Sequence, residues 1–392
     1  MPRIHDIMSG KDRSLGGHLA RLGLSCVEPL YRGIVGVRNA MFDLGLRKPK
    51  KLPRPVISVG NITTGGTGKT PMVIEIVRRL LAMGERPAVL TRGYASTFGS
   101  PSVADKSEEE IADIRAREQH FDSDEARILR RALGADVPVR VDPDRAAGGR
   151  DVLHLRSDIT VFVMDDGYQH RQLARDLDLV LIDATEPFGF DHVLPRGMLR
   201  ESLRNLRRAD LIVITRSDHP WKFQDLESRI AQYVPGTPVA QAVHAWECLM
   251  RYIAPTDQEL RDGLADGTRQ EMKEEVQVPL TSIQSVPVAG VCGIGNPTAF
   301  ETTLQGITTI VGFKAYPDHF DFGGNGEMQR ISDWANSIGA QAIVMTEKDW
   351  VKVGDGYRSV TGRLPIYRPT MRIEFIAGED KLDALLKKTL AG

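Results

Sequence analysis

The chain of 392 residues is short of several things, and each shortage excludes a class of protein. Its three cysteines, Cys26, Cys248 and Cys292, lie far apart, with neither metal-ligand spacing nor the density of a disulfide framework. That usage suits idle or buried thiols in a reducing compartment. The formal net charge is −1, so the basic surplus of a general nucleic-acid binder is missing. No run of about 18 apolar residues is present to span a bilayer. The opening "MPRIHDIMSGKDRS" has no apolar core of the kind a signal peptide needs. What remains is 41% hydrophobic and 26% charged residues, the balance of a globular chain long enough for two domains.

Charge is unevenly spread. Residues 1–54 carry eleven Lys/Arg against four Asp/Glu. Inside this basic stretch Leu19, Leu22, Cys26, Leu30, Ile34, Val37, Met41 and Leu44 recur every three or four residues, the seam of a helix. Arg21, Ser25, Glu28, Arg32 and Asn39 fall opposite, and Pro29 is expected to kink or split the helix. The seam suits packing on the protein's own core, a partner helix, or a lipid surface with Arg and Lys near acidic headgroups.

Beyond it the chain alternates short apolar runs with helical stretches. "RPVISVG", "RPAVLTRG", "DVPVRV", "ITVFVMDD", "LDLVLIDA" and "ADLIVITR" read as strands, and residues 70–83 and "DEARILRRAL" read as helices. A second series follows in "VPVAGVCGI", "TTIVGF", "AQAIVMTEKDW" and the helix "DKLDALLKKTL". Such alternation predicts an α/β fold, with parallel sheet covered by helices in a core domain (51–250) and a smaller α/β domain (287–392). The N-terminal helical segment (1–50) and a charged linker or insertion (251–286) complete the division. A second polar tract, "STFGSPSVADKSEEEIADIRAREQ", interrupts the core domain.

The strongest local signal is "VISVGNITTGGTGKTP": a β-branched run, a glycine-rich turn, then Lys69 and Thr70. Backbone N–H groups of Thr63, Thr64, Gly65, Gly66, Thr67 and Gly68 can close on phosphate oxygens, helped by the positive end of the following helix. Lys69 is placed to neutralise the terminal phosphates and the Thr70 hydroxyl to join Mg²⁺. The usual G-x-x-x-x-G-K-[ST] pattern would have glycine where this chain has Thr63. "ITVFVMDD" ends in Asp165 and Asp166, where a carboxylate can reach the same cation. A guanine-reading switch would want N-K-x-D, and "TRSD" lacks its Asn and Lys. A P-loop ATPase switch of the partitioning or metallochaperone kind, or a P-loop ligase, stays open on these residues alone.

"DSDEARIL" sets Asp124 and Glu125 at a helix start, where acids also act as ordinary caps. "LPRGMLRES" carries Arg200 and Glu201 in a loop, and "YPDHFDF" carries His319 between Asp318 and Phe320. In order along the chain, "GNITTGGTGKTP", "TRGY", "SDEA", "DDGYQHRQLARDLDLVLID", "LPRGMLRES", "GIGNP", "YPDHF" and "TEKDWVK" resemble the tetraacyldisaccharide 4′-kinase family of lipid A synthesis. "SDEA" departs from that family's usual G-D-E-P.

The resemblance implies a two-domain P-loop kinase that moves the γ-phosphate of ATP to the 4′-hydroxyl of an acylated glucosamine disaccharide 1-phosphate. It implies Asp124 as catalytic base, His319 as its partner, and Asp165, Asp166 and Glu201 around Mg²⁺ and the phosphates. It also gives the basic helix an occupant. A substrate with four acyl chains implies peripheral contact with the cytoplasmic face of the inner membrane in a Gram-negative type of cell. No nucleic acid and no obligate protein partner are implied.

Overall fold

The computed structural model describes residues 4–93, 123–217, 220–253, 274–318, 320–323, 326–353, 357, 360 and 363–392. The polar tracts at 94–122 and 254–273 lie outside them, as do His319 and the side chain of Asp124. The chain forms two compact units, Met1–His244 with Ile373–Gly392, and Ala245–Arg372.

The first unit begins with the short helix α1 (Ile4–Ser9) and the long α2 (Leu15–Asp43). Then come β1 (Val56–Asn61), α3 (Lys69–Ala82), β2 (Pro87–Thr91), α4 (Asp124–Leu133), β3 (Val139–Val141) and α5 (Arg145–Leu155). After β4 (Val161–Asp165), β5 (Leu177–Asp183), β6 (Leu211–Thr215) and α6 (Pro220–Tyr233), β7 (Val239–Ile253) begins here and ends in the second unit. The strand order is β7-β6-β5-β1-β4-β2-β3, with parallel pairing.

Strand β1 is buried at every residue, as a central parallel strand with both faces covered must be. The two-residue period shows in β5. Leu177, Leu179 and Leu181 join the core under α3, while Val180 and Ile182 join a separate cluster with Phe188 and Leu206. Helix α3 contributes Met72, Val73, Ile76, Val77 and Leu80, all fully buried. The helix at the end of the chain, α10 (Glu379–Ala391), belongs to this unit and not to a C-terminal domain running from 287 to 392. Leu382 and Leu386 explain why, since both are buried in the α3 core. Arg79 reinforces the attachment with ion pairs to Glu75 on its own helix and to Glu379 and Asp383 on α10.

Helix α2 forms over the expected residues, capped by Ser14 accepting from the Gly17 N–H, and Pro29 does not split it. Its orientation is the surprise. Leu19, Leu22, Leu30, Ile34 and Val37 are 61–67% exposed, so the apolar seam does not pack on the protein's own core. The opposite face docks instead, through polar bonds. Tyr31 Oη donates to the Arg200 carbonyl at 3.1 Å, and Arg38 donates to the Gln169 carbonyl at 2.6 Å. Glu28 accepts from the Val193 N–H at 3.1 Å and meets His192 Nδ1 at 2.9 Å. Among the described residues no helix is long and apolar enough to cross a membrane.

The second unit holds β8 (Glu274–Val278), β9 (Val288–Cys292), α7 (Pro297–Gln305), β10 (Ile310–Ala315), α8 (Glu327–Ser337), β11 (Ala342–Met345) and α9 (Glu347–Val353). The unit closes with the first part of β12 (Ile366–Ala377). Its strands run β10-β9-β11-β12 in parallel, and β8 pairs antiparallel with the Leu249–Ile253 end of β7. The "TEKDW" motif organises two loops here. Asp349 Oδ2 accepts from the Gly293 N–H at 2.8 Å in "GIGNP", and Lys348 meets Asp318 at 2.9 Å in "YPDHF".

Candidate active site

The glycine turn joins the end of β1 to the start of α3, at the C-terminal edge of the sheet where ligands of such folds bind. Gly65 and Gly68 take φ of +118° and +86°, which side-chain-bearing residues adopt rarely. A Cβ on Gly68 would meet His244 Nε2 at 2.1 Å, so glycine is required there on two counts. Thr63 needs no glycine. It forms an isolated antiparallel bridge with Leu199, a conformation that a β-branched residue favours. The turn is further stitched to that segment by Thr64 N donating to the Met198 carbonyl and Arg200 N donating to the Ile62 carbonyl. From the side of β6, the Thr215 hydroxyl donates to the Thr67 carbonyl at 3.1 Å.

Lys69 opens α3 with its ammonium 3.4 Å from Asn61 Oδ1 and 3.6 Å from Asp166 Oδ1. Thr70 follows on the same first turn. Asp165 ends β4, and Asp166 turns off it with φ of +49°. The two acids differ in state. Burial, with the Asp166 charge beside it, pushes the Asp165 carboxyl up to about 6. Its Oδ2 accepts from Thr91 at 3.1 Å. Burial also opposes the Asp166 charge, but Lys69 and Arg200 outweigh it and hold that carboxyl below its ordinary value. Arg200 binds both Asp166 oxygens, at 2.9 and 2.8 Å.

Asp124 is the first residue of α4, whose cap is Ser123, its hydroxyl accepting from the Ala126 N–H. The Glu125 charge is among those that raise Asp165, so the start of α4 lies electrostatically within reach of the acids. Glu201 is used differently from the sequence expectation. Only 1% exposed, it accepts from Asn39 Nδ2 at 3.0 Å, Gln169 Nε2 at 3.0 Å and Arg208 at 2.8 Å. Both its oxygens are occupied in tying α2 to the loop, and among the described residues no cluster of three His, Cys, Asp or Glu side chains forms a metal site.

Some residues escape sequence reading. Arg145, 3% exposed, faces Asp165, Asp166 and Asp142; burial and the Arg92 charge push its guanidinium down to about 10. Its only local signal is the helix start "DPDRAA". Asn39 carries no motif that singles it out, and Arg216 lies in "TRSD", which by itself reads as a strand end with a turn.

A glycine turn opening a helix beside the central strand of a parallel sheet, with two acids ending the adjacent strand, defines a P-loop nucleotide-binding α/β protein. Residues 20–391 match the family model for tetraacyldisaccharide-1-P 4′-kinase, and the chain belongs to that family. Among its relatives, the tetraacyldisaccharide 4′-kinase of Anaeromyxobacter sp. (strain K) is 34% identical over 96% of this chain and 92% of its own. The one from Halothermothrix orenii is 32% identical over 89% of this chain and 87% of its own. Among solved structures, an "apo" form of LpxK from Aquifex aeolicus in complex with ATP aligns with a TM-score of 0.65. It is 27% identical and covers 95% of this chain and 99% of that one.

Proposed function

We propose that this kinase transfers the γ-phosphate of ATP to the 4′-hydroxyl of tetraacyldisaccharide 1-phosphate, at the glycine turn, on a membrane surface. The family match over residues 20–391 carries the reading. The chemistry of the site agrees with it. The backbone of residues 65–68 cradles phosphates, the Thr64 N–H being already given to the Met198 carbonyl, and Lys69, on the helix that the turn opens, sets its ammonium against the charge that grows on the transferring group. Asp124 accepts the sugar proton as the bond to phosphorus forms, and His319 orients it; both roles rest on the family motifs.

Thr70, Asp165 and Asp166 supply hard hydroxyl and carboxylate oxygens, the donor set that Mg²⁺ prefers. Burial and the neighbouring Asp166 charge raise the Asp165 carboxyl, and a cation bound beside it would relieve both. Mg²⁺ held there would neutralise phosphate charge. Glu201, already bonded by three donors, holds the loop and α2 in register.

The outward seam of α2 supplies the surface contact. Leu19, Leu22, Leu30, Ile34 and Val37 enter the acyl region of a bilayer, while the basic residues flanking the helix meet acidic headgroups. Such a contact suits peripheral attachment at the cytoplasmic face of an inner membrane, where the acceptor's head group would be in reach. A groove of about 330 Å³ opens against the inner face of the same helix, lined by Tyr31, Arg32, Asn39, Arg204 and Arg207 among others. Its arginines suit an anionic head group. The deciding experiment measures ATP turnover in detergent with and without the acylated disaccharide 1-phosphate, with mass spectrometry of the lipid. A lipid heavier by one phosphate is expected, and ATP hydrolysis indifferent to the lipid would overturn the reading.

A further inference from the structure

The motif "TRSD" is left over by the function, and its arginine sits in an unusual place. Arg216 follows β6 with φ of +55°, a backbone conformation uncommon for a residue with a side chain. Its guanidinium donates to the Gly66 carbonyl at 2.9 Å and forms an ion pair with Asp183, which ends β5. Asp183 is itself fixed by the N–H and hydroxyl of Thr185, at 2.9 and 2.7 Å. The arginine is thus pinned at two points, yet its side chain stays 27% exposed.

The direction of a bound triphosphate follows from the strand order. Strand β4, with Asp165 and Asp166, lies on one side of β1; β5 and β6 lie on the other. Lys69 leans toward Asp166, so the most charged end of the triphosphate belongs on the β4 side. The nucleoside must then leave the turn on the β5 and β6 side, where Arg216 stands over Gly66. Behind it, burial pushes His244 down to about 4, so this neighbour is a neutral imidazole and no competing cation.

We propose that Arg216 is the nucleobase platform of this kinase, its planar guanidinium stacking on the purine while Asp183 and the Gly66 carbonyl hold it in plane. The inference rests on the glycine turn being the ATP site. A guanidinium plane offers cation–π stacking to any purine and reads no base edge. Adenine and guanine triphosphates should therefore be used with similar efficiency, which agrees with the absence of a guanine-reading motif. Asp183 is a positioning residue here, since its oxygens are already taken by Arg216 and Thr185.

The test compares nucleotides in the lipid phosphorylation assay. Arg216→Ala and Arg216→Lys should raise KM for ATP and GTP about tenfold, the worth of one stacked cation. KM for ribose 5-triphosphate, which has no base, should shift by less than about twofold in the same variants. Lysine keeps a donor for the Gly66 carbonyl but has no plane, so it separates stacking from support of the turn. Calorimetric binding of tripolyphosphate, unchanged in both variants, would show the phosphate cradle intact. An equal rise in KM for ATP and for ribose 5-triphosphate would overturn the proposal and leave Arg216 a support of the turn. So would no change in either. Turnover of ATP by the unaltered enzyme tests the phosphate-site reading separately.

Discussion

Helices α2 and α3 have the same kind of sequence and opposite fates. Each carries an apolar stripe at helical spacing with charges opposite. Helix α3 turns its stripe inward, and Met72, Val73, Ile76, Val77 and Leu80 lose all contact with solvent. Helix α2 turns its stripe outward and docks by Glu28, Tyr31, Arg38 and Asn39. Periodicity identifies an amphipathic helix but not the side on which its protein lies. What decides is the partner waiting for the polar face, here the carbonyls of Gln169 and Arg200 and the buried carboxylate of Glu201.

The sharpest break in this comparison comes at the start of α3. Lys69→Ala and Gly68→Ala should each lower kcat by about 10²–10³-fold or more, the usual worth of one preorganised group facing developing charge. Steady-state kinetics in detergent reads this, and near-normal Lys69→Ala turnover would refute the site. Next in size is the packing contrast. Leu80→Ala should lower unfolding free energy by about 2–5 kcal/mol, whereas Leu30→Ala on α2 should stay within about 0.5 kcal/mol. Chemical denaturation of the two variants compares them directly, and equal losses would mean α2 buries its seam after all.

Smaller effects sharpen the picture. The folded Asp165 carboxyl titrates near 6, above its ordinary value of 3.8. A raised carboxyl favours the folded state fully below the unfolded value, and that contribution is lost as pH rises through about 6. Without nucleotide or cation, Asp165→Asn should therefore melt higher than the parent at pH 8, with the difference gone below about pH 4. The same proton competes with a cation, so Mg²⁺-dependent nucleotide affinity should weaken as pH falls below about 6. A melting difference that does not vary with pH would contradict the assignment. Smallest in its effect on chemistry, Leu30→Glu with Ile34→Glu should release the protein from anionic vesicles and raise KM for micellar lipid roughly tenfold. kcat and stability should hold. Retained vesicle binding would show that another surface makes the contact.

Much of this was legible because the signals are local. The glycine turn, the strand ending in Asp165 and Asp166, and the helix opening at Asp124 each lie in one short stretch. Illegible were features that depend on distant partners. Glu201 reads as one more acid in a loop until Asn39, over 160 positions earlier, is seen to occupy it. Arg216 looks like the end of a strand until Gly66 and Asp183 converge on it. Strands β7 and β12 have no place in the sequence reading, and each passes from one unit to the other. That traffic is why a cut at 287 misassigns the last twenty residues.

The attachment of α10 has a consequence for how the protein is made. The core that backs the phosphate turn includes Leu382 and Leu386, and Arg79 on the turn's own helix reaches to Glu379 and Asp383. These residues leave the ribosome only after the whole second unit has emerged. Domains commonly fold in order of synthesis, the N-terminal one first. Here the earlier unit lacks a wall until residues 373–392 are made, while Ala245–Arg372, being continuous, can finish before it. A chain cut short before residue 373 therefore has an incomplete core under α3.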